Sequence, residues 1–313
     1  MMENEEYDLL IIGSGPAGLG AAVYAVRAGL RSAVVDRSPV SGGQVLSTYE
    51  VDNYLGLPGL SGGELAERFR EHADRLGVQF ITAEVQGIER KAAQQTLYTV
   101  HTDQSDLQTR TVILATGASH SLLGVPGEVE LSGMGVSYCA TCDGAFYRKR
   151  TVSVVGGGDV AVEDAIFLAG ICKKVYLIHR RDQLRAADSL QKRLSALENV
   201  EVLWDSEVKE ILGSEMVEGV SVYNKKTGSQ DRLDVDGVFI AVGIVPDTDS
   251  FKGMVEMDER GYVVADETCG TSEKGIFAAG DIRKKPMRQI ITAVADGANA
   301  VHSVQEFLNA EKM

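Results

Sequence analysis

The feature that most constrains the fold is a glycine-rich turn between an apolar strand and a helix. Residues 7–12 form an apolar, strand-like stretch that runs into Gly13-x-Gly15-x-x-Gly18 and then into a helical pattern. The first glycine of such a turn makes it tight, the second lets the backbone approach a pyrophosphate, and the third permits close packing of helix and strand. The helix N-terminus then faces the phosphates. These residues predict a dinucleotide site.

A carboxylate stands where the ribose of such a dinucleotide would lie. Asp36 ends the second strand of this unit, 18 residues after Gly18 and 23 after Gly13. A carboxylate at this point can accept hydrogen bonds from both hydroxyls of an adenosine ribose. Strand, glycines, helix and acid together complete the βαβ pattern.

The same pattern occurs a second time. Residues 151–155 predict a strand, Gly156-x-Gly158-x-x-Ala161 the turn, and residues 174–178 the next strand. The position 23 residues after Gly156 is His179, so the second copy has a basic residue where the first has its acid. The chain therefore contains an internal repeat.

The basic segment of the second copy predicts a preference for NADP over NAD. His179 is followed by Arg180 and Arg181, with Arg185 one helical turn further on. Guanidinium groups pair with a 2′-phosphate in bidentate fashion, whereas a carboxylate would repel it. The alternative is a solvated basic face of a helix, which is the usual meaning of a charge run. The placement at the ribose position of an acidic chain favours phosphate binding.

Two dinucleotide folds in one chain suggest a flavin in one and a nicotinamide in the other. Three segments favour the flavin in the first copy: the glycine-rich polar stretch 41–59, the strand and turn 111–117, and the strand 275–281. The last delivers Gly280 and Asp281 to a loop, where Asp281 could accept a ribityl hydroxyl. The next predicted helix would point its positive end at the region of Arg288 and Gln289, which suits an anionic reduced flavin. Stretches 111–117 and 238–243 resemble each other, and each could cross between two domains.

Cys139 and Cys142 form a CxxC motif with Asp143 directly behind it. A zinc site would need further ligands, but Cys172 and Cys269 stand alone and the five histidines show no paired spacing. No metal is therefore expected. A disulfide with a purely structural role is unexpected in a chain of this size and cysteine content. Two thiols separated by two residues can form an exchangeable disulfide, so redox chemistry is the third alternative.

Composition narrows the classes of partner. The 313 residues are 44% hydrophobic, which suits one large or two medium domains with full cores. The formal net charge of −14 argues against nucleic acids and anionic membranes. No signal-peptide pattern or membrane-length apolar run occurs, so we expect a soluble, cytoplasmic protein.

Taken together, the motifs make the chain resemble the low-molecular-weight, bacterial-type thioredoxin reductases. The motifs that carry the resemblance, in order, are GSGPAG (13–18), GGQ (42–44), ATGA (115–118), CATCDG (139–144), GGGD (156–159), HRRDxxRA (179–186) and GIFAAGDxxxxxxRQ (275–289). The resemblance implies an α/β fold of two Rossmann-like dinucleotide-binding domains. An NADPH domain at 118–243, carrying the CxxC, is inserted into a discontinuous FAD domain at 1–117 and 244–313. It also implies a homodimer and a thioredoxin disulfide as substrate.

The resemblance also implies roles for individual residues. Cys142 would face the flavin, Cys139 would attack the partner's disulfide, and Asp143 would carry protons, although an acid at a helix N-terminus is the alternative interpretation of Asp143. The inserted domain would rotate between two orientations. The residues implied for FAD are Gly13, Ser14, Gly15, Pro16, Ala17, Gly18, Asp36, Arg37, Gly42, Gly43, Gln44, Asn53, Ala115, Thr116, Gly117, Gly280, Asp281, Arg288, Gln289 and Ile290, and those for NADPH are Gly156, Gly158, Asp159, Val160, His179, Arg180, Arg181 and Arg185.

Three positions depart from the family pattern, and they leave the acceptor open. Val160 replaces a common serine near the pyrophosphate, Ala145 replaces the first of two aromatic residues after the CxxC, and Met134 stands where a basic residue is frequent. A reductase of the same build could serve a glutaredoxin-like protein, a peroxiredoxin system or oxygen instead of thioredoxin. A flavin-binding redox sensor without turnover is the third hypothesis.

Overall fold

The structure is a computed structural model that describes residues 6–48, 51, 53–91 and 96–312. The chain divides into two compact units, unit 1 with residues 1–119 and 245–313 and unit 2 with residues 120–244. The strands are β1 (Glu6–Ile12), β2 (Ser32–Asp36), β3 (Gln79–Thr82), β4 (Val85–Arg90), β5 (Tyr98–Thr102), β6 (Asp106–Leu114), β7 (Ala118–His120), β8 (Val136–Ser137), β9 (Thr151–Gly156), β10 (Lys174–Ile178), β11 (Val200–Leu203), β12 (Ser206–Gly213), β13 (Val217–Asn224), β14 (Gln230–Leu233), β15 (Gly237–Ala241), β16 (Ile244–Pro246) and β17 (Ile276–Ala278). The α-helices are α1 (Pro16–Arg27), α2 (Gly62–Arg75), α3 (Ala140–Asp143), α4 (Asp159–Ala169), α5 (Asp188–Ser195) and α6 (Ile290–Ala310).

Unit 1 is built on a sheet of parallel strands extended by an antiparallel meander. Its order is β3-β2-β1-β6-β5-β4, and β17 pairs in parallel with the C-terminal half of β6. Strand β1 is buried on both faces, because Leu9 and Ile11 pack into one apolar cluster while Leu10 and Ile12 pack into another. This explains why its sequence is continuously apolar rather than alternating.

Unit 2 is built on a five-stranded parallel sheet of order β11-β10-β9-β15-β8. Beside it lies the antiparallel sheet β12-β13-β14. The polar composition of residues 213–236 predicts an exposed hairpin without chemistry, and β13 and β14 do form an antiparallel pair there, although one face of β13 is not exposed. Val220 and Val222 of β13 are buried in one cluster with Val155 and Ile178 of the parallel sheet, so the second sheet covers part of the first.

The two copies of the repeat share one strand register. Leu9 pairs with Ser32 in unit 1, and Thr151 pairs with Lys174 in unit 2, an offset of 23 residues in both. Strands β9 and β10 and the helix end at Gly170 match the sequence prediction closely. The chain thus has two Rossmann-like units, which is the fold class that the sequence predicted.

The two connections between the units run side by side. The Ser121 amide donates to the Gly243 carbonyl at 2.9 Å, and the Asp247 amide donates to the Gly117 carbonyl at 3.0 Å. They follow the ends of β6 and β15, where the sequence predicted crossings. Among the described residues, no helix is long and apolar enough to span a membrane.

Candidate functional site

The first glycine turn follows β1 and opens α1. Gly13 has a φ of 106°, and a Cβ there would lie 2.4 Å from the Ala115 carbonyl oxygen. A Cβ on Gly18 would lie 1.9 Å from the Gly13 carbonyl oxygen, which confirms the packing role predicted for Gly18. A Cβ on Gly15 would meet nothing within 4 Å, so the backbone faces open space there. The turn therefore leaves room for a ligand at its middle glycine, and Pro16 begins the helix at a position that needs no donor.

The carboxylate of Asp36 is tied to this turn. Its Oδ2 accepts the Ser14 amide at 2.6 Å and its Oδ1 accepts the Ser38 amide at 2.9 Å. Each oxygen keeps a further lone pair. Asp36 is thereby fixed beside the turn, at the end of β2, with acceptor capacity left for hydroxyl groups. The neighbouring Arg37 is exposed and lies 3.6 Å from a carboxylate oxygen of Asp247.

The glycine-rich segment after β2 closes over the same turn. The Gly42 amide donates to the Ser14 carbonyl at 3.0 Å, and Gly43 opens a 3₁₀ turn, Gly43–Ser47. A Cβ on Gly43 would lie 3.5 Å from the Cα of Gly15, so the backbones of these two glycines pass close to each other. Further along, the Asn53 side-chain Nδ2 donates to the Gln289 side-chain oxygen at 2.9 Å. Gln44 thus lies on the segment that closes over the turn, and Asn53 is linked to the start of α6.

The ends of β6 and β17 complete this edge of the sheet. Ala115, Thr116 and Gly117 follow β6, and the Thr116 hydroxyl donates to the Asp247 carbonyl at 2.6 Å. Gly280, with a φ of 81°, follows β17 and approaches Ala17 of α1. In open parallel sheets, ligands bind at this carboxyl edge. Unit 1 therefore gathers its predicted FAD residues at one edge.

A buried charge cluster supports the loop that carries Asp281. Asp296, on α6, accepts the Gly280 amide at 3.0 Å and Lys285 Nζ at 3.0 Å on Oδ2, and Arg283 Nη1 at 2.8 Å on Oδ1. Lys285 Nζ lies 3.6 Å from Asp281 Oδ1. Burial raises the pKa of Asp281, and Lys285 and Arg288 oppose that rise. The sequence did not predict roles for Asp296, Arg283 and Lys285. The feature that could have indicated such a role is Asp296 itself, an acid among the largely apolar residues of α6.

Two buried polar atoms at this edge have no hydrogen-bond partner in the described part of the chain. They are Ser14 Oγ and Arg288 Nε. Buried polar atoms are normally satisfied, so atoms left over around an open cradle indicate a polar ligand. Gln289 and Ile290 begin α6 beside them, with the Gln289 amide donating to the Thr292 hydroxyl at 3.1 Å. The cradle and its orphaned donors and acceptors fit a flavin nucleotide.

The second glycine turn repeats the first in unit 2. A Cβ on Gly156 would lie 2.5 Å from the Ala241 carbonyl oxygen, and a Cβ on Gly158 would meet nothing within 4 Å. Gly158 is the N-cap of α4, and Asp159 and Val160 form its first turn. The Asp159 carboxylate accepts the Ala187 amide at 2.8 Å. Val160 is 53% exposed, so its side chain faces outward from the start of the helix.

The basic segment after β10 is not helical, which corrects the expectation for Arg185. Residues 179–187 form an irregular loop that folds back onto the glycine turn, with the Arg185 amide donating to the Gly157 carbonyl at 2.7 Å. Because the loop bends, Arg180, Arg181 and Arg185 lie on it without a helical turn between them.

His179 supports this loop from beneath. Its ring is 3% exposed, and its nitrogens lie 3.0 Å from the Gly156 carbonyl and 2.9 Å from the Gln183 carbonyl. Burial lowers the pKa of His179. A Cβ on Gly157 would lie 2.1 Å from the ring, so the turn and the ring pack closely. The ring nitrogens are thus occupied by backbone oxygens, and His179 shapes the turn.

A cavity of about 380 Å³ opens beside the second turn. Cavities of a few hundred cubic ångströms are typical of nucleotide and small-molecule sites. Part of the wall comes from β12 and from the segment after β7, neither of which was predicted to border the site. The lining residues are Leu122, Leu123, Val125, Val155, Gly156, Gly157, Ile178, His179, Arg180, Arg185, Ser206, Glu207, Val208, Lys209, Ala241 and Val242.

The CxxC motif lies in a short helix of unit 2. Cys139 and Cys142 are joined by a disulfide, with Cys139 as the N-cap of α3. The Thr141 hydroxyl lies 3.4 Å from the Cys139 sulfur. Both cysteines are partly exposed. The bond is incompatible with zinc ligation by these two sulfurs, and it is the bond that the redox alternative requires.

Asp143 lies at the end of the same helix and is largely removed from solvent. Its Oδ2 accepts the Ser137 hydroxyl at 2.6 Å, while its Oδ1 is buried without a hydrogen-bond partner among the described residues. Burial raises the pKa of Asp143, and the Ser137 hydrogen bond partly opposes this. A carboxyl group with a raised pKa can hold a proton closer to neutral pH than an exposed one. The Ser137 hydroxyl also accepts the Cys139 amide at 3.1 Å, which links acid and disulfide and was missed from the sequence.

The other two cysteines are buried thiols. Burial raises the pKa of Cys172 to about 11 and that of Cys269 to about 12. Thiols with such values are weak nucleophiles at neutral pH. The described residues contain no group of three or more His, Cys, Asp or Glu side chains arranged to hold a metal ion.

Comparisons with known proteins agree on one family. Residues 7–297 match the family described as "Pyridine nucleotide-disulphide oxidoreductase". The chain is 42% identical over 311 residues to a thioredoxin reductase of Listeria monocytogenes, covering 99% of this chain and 96% of that protein. It is 42% identical over 313 residues to a thioredoxin reductase of Bacillus subtilis, covering 98% and 96%. The crystal structure of thioredoxin reductase from Streptococcus pyogenes MGAS5005 superposes with a TM-score of 0.93 at 46% identity, covering 98% of this chain and 100% of that one.

Proposed function

Because the chain belongs to the pyridine nucleotide-disulphide oxidoreductase family, we propose that it is an NADPH-dependent thioredoxin-disulfide reductase. The observation that carries the proposal is the Cys139–Cys142 disulfide beside the buried carboxyl group of Asp143. A disulfide held next to a proton carrier, in a unit with its own nucleotide turn, suits electron transfer from a nicotinamide to a protein disulfide.

We assign FAD to unit 1, with 1–117 and 244–313 as its domain. The residues that would hold it are the turn 13–18 for the pyrophosphate, Asp36 for the adenosine ribose, and the 280–290 region for the flavin end. The open face of Gly15 and the buried, unpartnered atoms Ser14 Oγ and Arg288 Nε support this assignment. FAD, once bound, supplies the relay between a two-electron hydride donor and a disulfide. The N-terminus of α6, at Ile290, would favour negative charge on the reduced ring.

We assign NADPH to unit 2, with 118–243 as its domain. Gly158 and the start of α4 would receive the pyrophosphate, and Arg180, Arg181 and Arg185 would pair with the 2′-phosphate. The roles of Gly156 and His179 are to shape the turn that presents these arginines. The cavity of about 380 Å³ beside the turn supports this assignment.

The disulfide chemistry divides between the two cysteines. Two electrons would break the Cys139–Cys142 bond, leaving a thiolate on Cys139 and a second thiolate on Cys142 that takes a proton. Cys142 would receive the electrons from the flavin side, and the Cys139 thiolate would attack the disulfide of thioredoxin, forming the mixed disulfide and releasing one thioredoxin thiolate. Asp143, held in place by Ser137, would give a proton to that leaving thiolate and take one from the Cys142 thiol. The Cys142 thiolate would then attack Cys139 of the mixed disulfide, re-forming the Cys139–Cys142 bond and releasing the second thioredoxin sulfur. We also propose a homodimer and a cytoplasmic location for this protein.

The experiment is NADPH oxidation with purified thioredoxin as acceptor. We expect steady turnover by the wild-type flavoprotein, and loss of more than about 1,000-fold in the Cys142→Ser variant because the exchangeable disulfide is gone. The same variant should still bleach its flavin with NADPH, because hydride transfer does not use the cysteines. Turnover retained by Cys142→Ser would refute the mechanism.

A second candidate is a reductase of the same build with another acceptor. The exposed side chains of Ala145 and Met134 support a different acceptor, because the family pattern has an aromatic and a basic residue at these positions. Flavin and disulfide reduction by NADPH without thioredoxin turnover would select this candidate. Turnover with thioredoxin at micromolar KM would exclude it.

A further inference from the structure

A cluster of cations follows directly after the disulfide helix. Helix α3 carries the cysteines, a 3₁₀ turn (Gly144–Tyr147) continues it, and Arg148, Lys149 and Arg150 come next. The helical rise of about 1.5–2 Å per residue places the start of this run at most about 18 Å from Cys139. Together with Lys173, which the next paragraph places beside them, these residues form what we call the basic patch.

The backbone of the basic patch is fixed by three hydrogen bonds. The Lys149 amide donates to the Ile171 carbonyl at 3.1 Å, and the Arg150 amide donates to the Tyr147 carbonyl at 3.0 Å. The Lys173 amide donates to the Arg150 carbonyl at 2.8 Å, which brings a fourth cation to the same place. The four charges are therefore held together by the backbone.

Lys149 occupies a backbone conformation that disfavours its side chain. Its φ of 62° lies in the left-handed region, where glycine or asparagine would be less strained. A side chain retained at a strained position points to a use for that side chain. The Lys149 side chain is exposed and therefore does not pack in the core, so the property that it can contribute is its positive charge.

The charges of the basic patch are not neutralised within the described part of the chain. All four residues are exposed, and none of them forms an ion pair with a described carboxylate. The carboxylate of Asp236 is close in space, but its Oδ2 accepts the Thr151 amide at 2.9 Å. The chain as a whole carries a formal charge of −14. A positive field beside the disulfide thus opposes the field of the rest of the molecule.

We propose that the basic patch is the docking surface for an acidic face of thioredoxin. This inference rests on the proposed function and adds the chemistry of the partner surface. A stable protein interface covers about 800 Å² on each partner, a disc of about 16 Å radius. An interface centred on Cys139 therefore reaches the long side chains of the patch at its rim. Opposite charges at the rim would steer an acidic partner toward the disulfide, against the repulsion from a chain with a net charge of −14.

The test compares two variants of equal net charge. Arg148→Gln/Lys149→Gln/Arg150→Gln removes three of the four cations of the patch, and Lys192→Gln/Arg193→Gln/Lys226→Gln removes three cations from α5 and the turn after β13. With a purified acidic thioredoxin at low salt, we expect the patch variant to raise KM about tenfold with kcat unchanged. The control should keep the wild-type KM. Raising the ionic strength to about 300 mM should raise the wild-type KM and bring the two variants together.

Lys149→Gly separates docking from folding. Glycine suits the left-handed backbone, so this variant should melt at a higher temperature than wild type while its KM for thioredoxin rises about twofold to threefold. A damaged fold would instead lower the melting temperature. Reduction of the flavin by NADPH should be the same in every variant.

The outcomes distinguish this inference from the proposed function. A patch variant with wild-type KM and wild-type salt dependence overturns the docking surface and leaves the reductase intact. Equal KM increases in the patch variant and the control also overturn it, because net charge alone would explain them. Absence of thioredoxin turnover in wild type, with normal flavin reduction, overturns both.

Discussion

The two glycine turns share their first and middle glycines and differ at several side chains, three of which bear on stability and nucleotide selection. Both first glycines lie against the end of a crossing strand, where an added Cβ would lie 2.4 Å from the Ala115 carbonyl oxygen in one copy and 2.5 Å from that of Ala241 in the other. Both middle glycines face open space. Three of the differences, first copy against second, are Gly18 against Ala161 at the third turn position, Ala21 against Asp164 on the helix, and Asp36 against His179 at the end of the second strand.

This comparison separates what holds a nucleotide from what selects it. The shared glycines and the shared register place a helix N-terminus in the same way against the strands, which suits any pyrophosphate. The residue 23 positions after the first glycine is either an acid or the start of a basic loop. The choice of nucleotide thus depends on the short segment at the end of the second strand of each βαβ unit. Each difference between the copies can be tested by substitution.

The largest effect is expected at the third glycine position. Gly18→Ala would place a Cβ 1.9 Å from the Gly13 carbonyl oxygen, so the turn must open, at a cost of about 3 kcal/mol and with loss of bound FAD. The second copy tolerates Ala161 because its first glycine is more extended, with a φ of 157° at Gly156 against 106° at Gly13. Flavin content and urea unfolding measure the effect.

Ala161→Gly is the matched control in the second copy. It should cost only about 1 kcal/mol, through helix propensity, and keep the flavin. If Gly18→Ala retained both flavin and stability, the two turns would be equally permissive and the contrast between them would be wrong.

The next effect is expected at the basic loop. Arg180→Gln/Arg181→Gln removes two charge-assisted contacts to a 2′-phosphate, so KM for NADPH should rise about 100-fold while KM for NADH stays the same. Steady-state kinetics with both nucleotides measure the ratio. Asp36→Asn is the matched change in the first copy. It should weaken flavin retention and leave the NADPH to NADH ratio unaltered; a shift of that ratio by Asp36→Asn would contradict the division of roles.

The smallest effect is expected on the helix faces. Burial, with a contribution from Glu163, raises the pKa of Asp164 to about 7, whereas the equivalent Ala21 is fully buried and neutral. Because the folded-state pKa exceeds the ordinary value of 3.8, protonated Asp164 contributes fully to stability below about pH 4, and this contribution is lost as pH rises through about 7. The free energy of unfolding of Asp164→Asn, relative to that of wild type, should therefore increase by about 2 kcal/mol between pH 5 and pH 8.

Urea unfolding of both proteins at the two pH values measures this gain. Glu163→Gln, at the exposed neighbouring position, serves as the control and should show a much smaller difference. A pH-independent difference between wild type and Asp164→Asn would mean that Asp164 is ionised throughout.

The sequence predicted the two βαβ units because their signals are local. Glycine spacing, strand periodicity and the offset to Asp36 and His179 depend on neighbours along the chain, and the registers of β1 with β2 and of β9 with β10 agree with them. The disulfide partner of Cys139 was also local, three residues away. Segments with such short-range determinants can be placed without a structure.

The parts that could not be predicted depend on distant contacts. Residues 179–187 have a helix-like composition, but hydrogen bonds from Arg185 to Gly157 and from Ala187 to Asp159 fold them into a loop. Asp296 supports Gly280 across 16 positions, and the sequence around each shows no trace of the other. Residues 213–236 are rich in Gly, Ser and charged residues, which predicts an exposed hairpin, and only the packing of β13 against β9 and β10 reveals which face is covered.

The paired connections between the units bear on how the chain folds. Strands β6 and β17 pair in unit 1, yet the 125 residues of unit 2 lie between them in sequence. Closing an unfolded loop of that length costs about 3 kcal/mol more than closing one of about five residues. Since Ser121 and Gly243 are hydrogen-bonded to each other, a folded unit 2 presents its two ends as a short loop. Early folding of the insert would therefore speed the completion of the sheet that surrounds it.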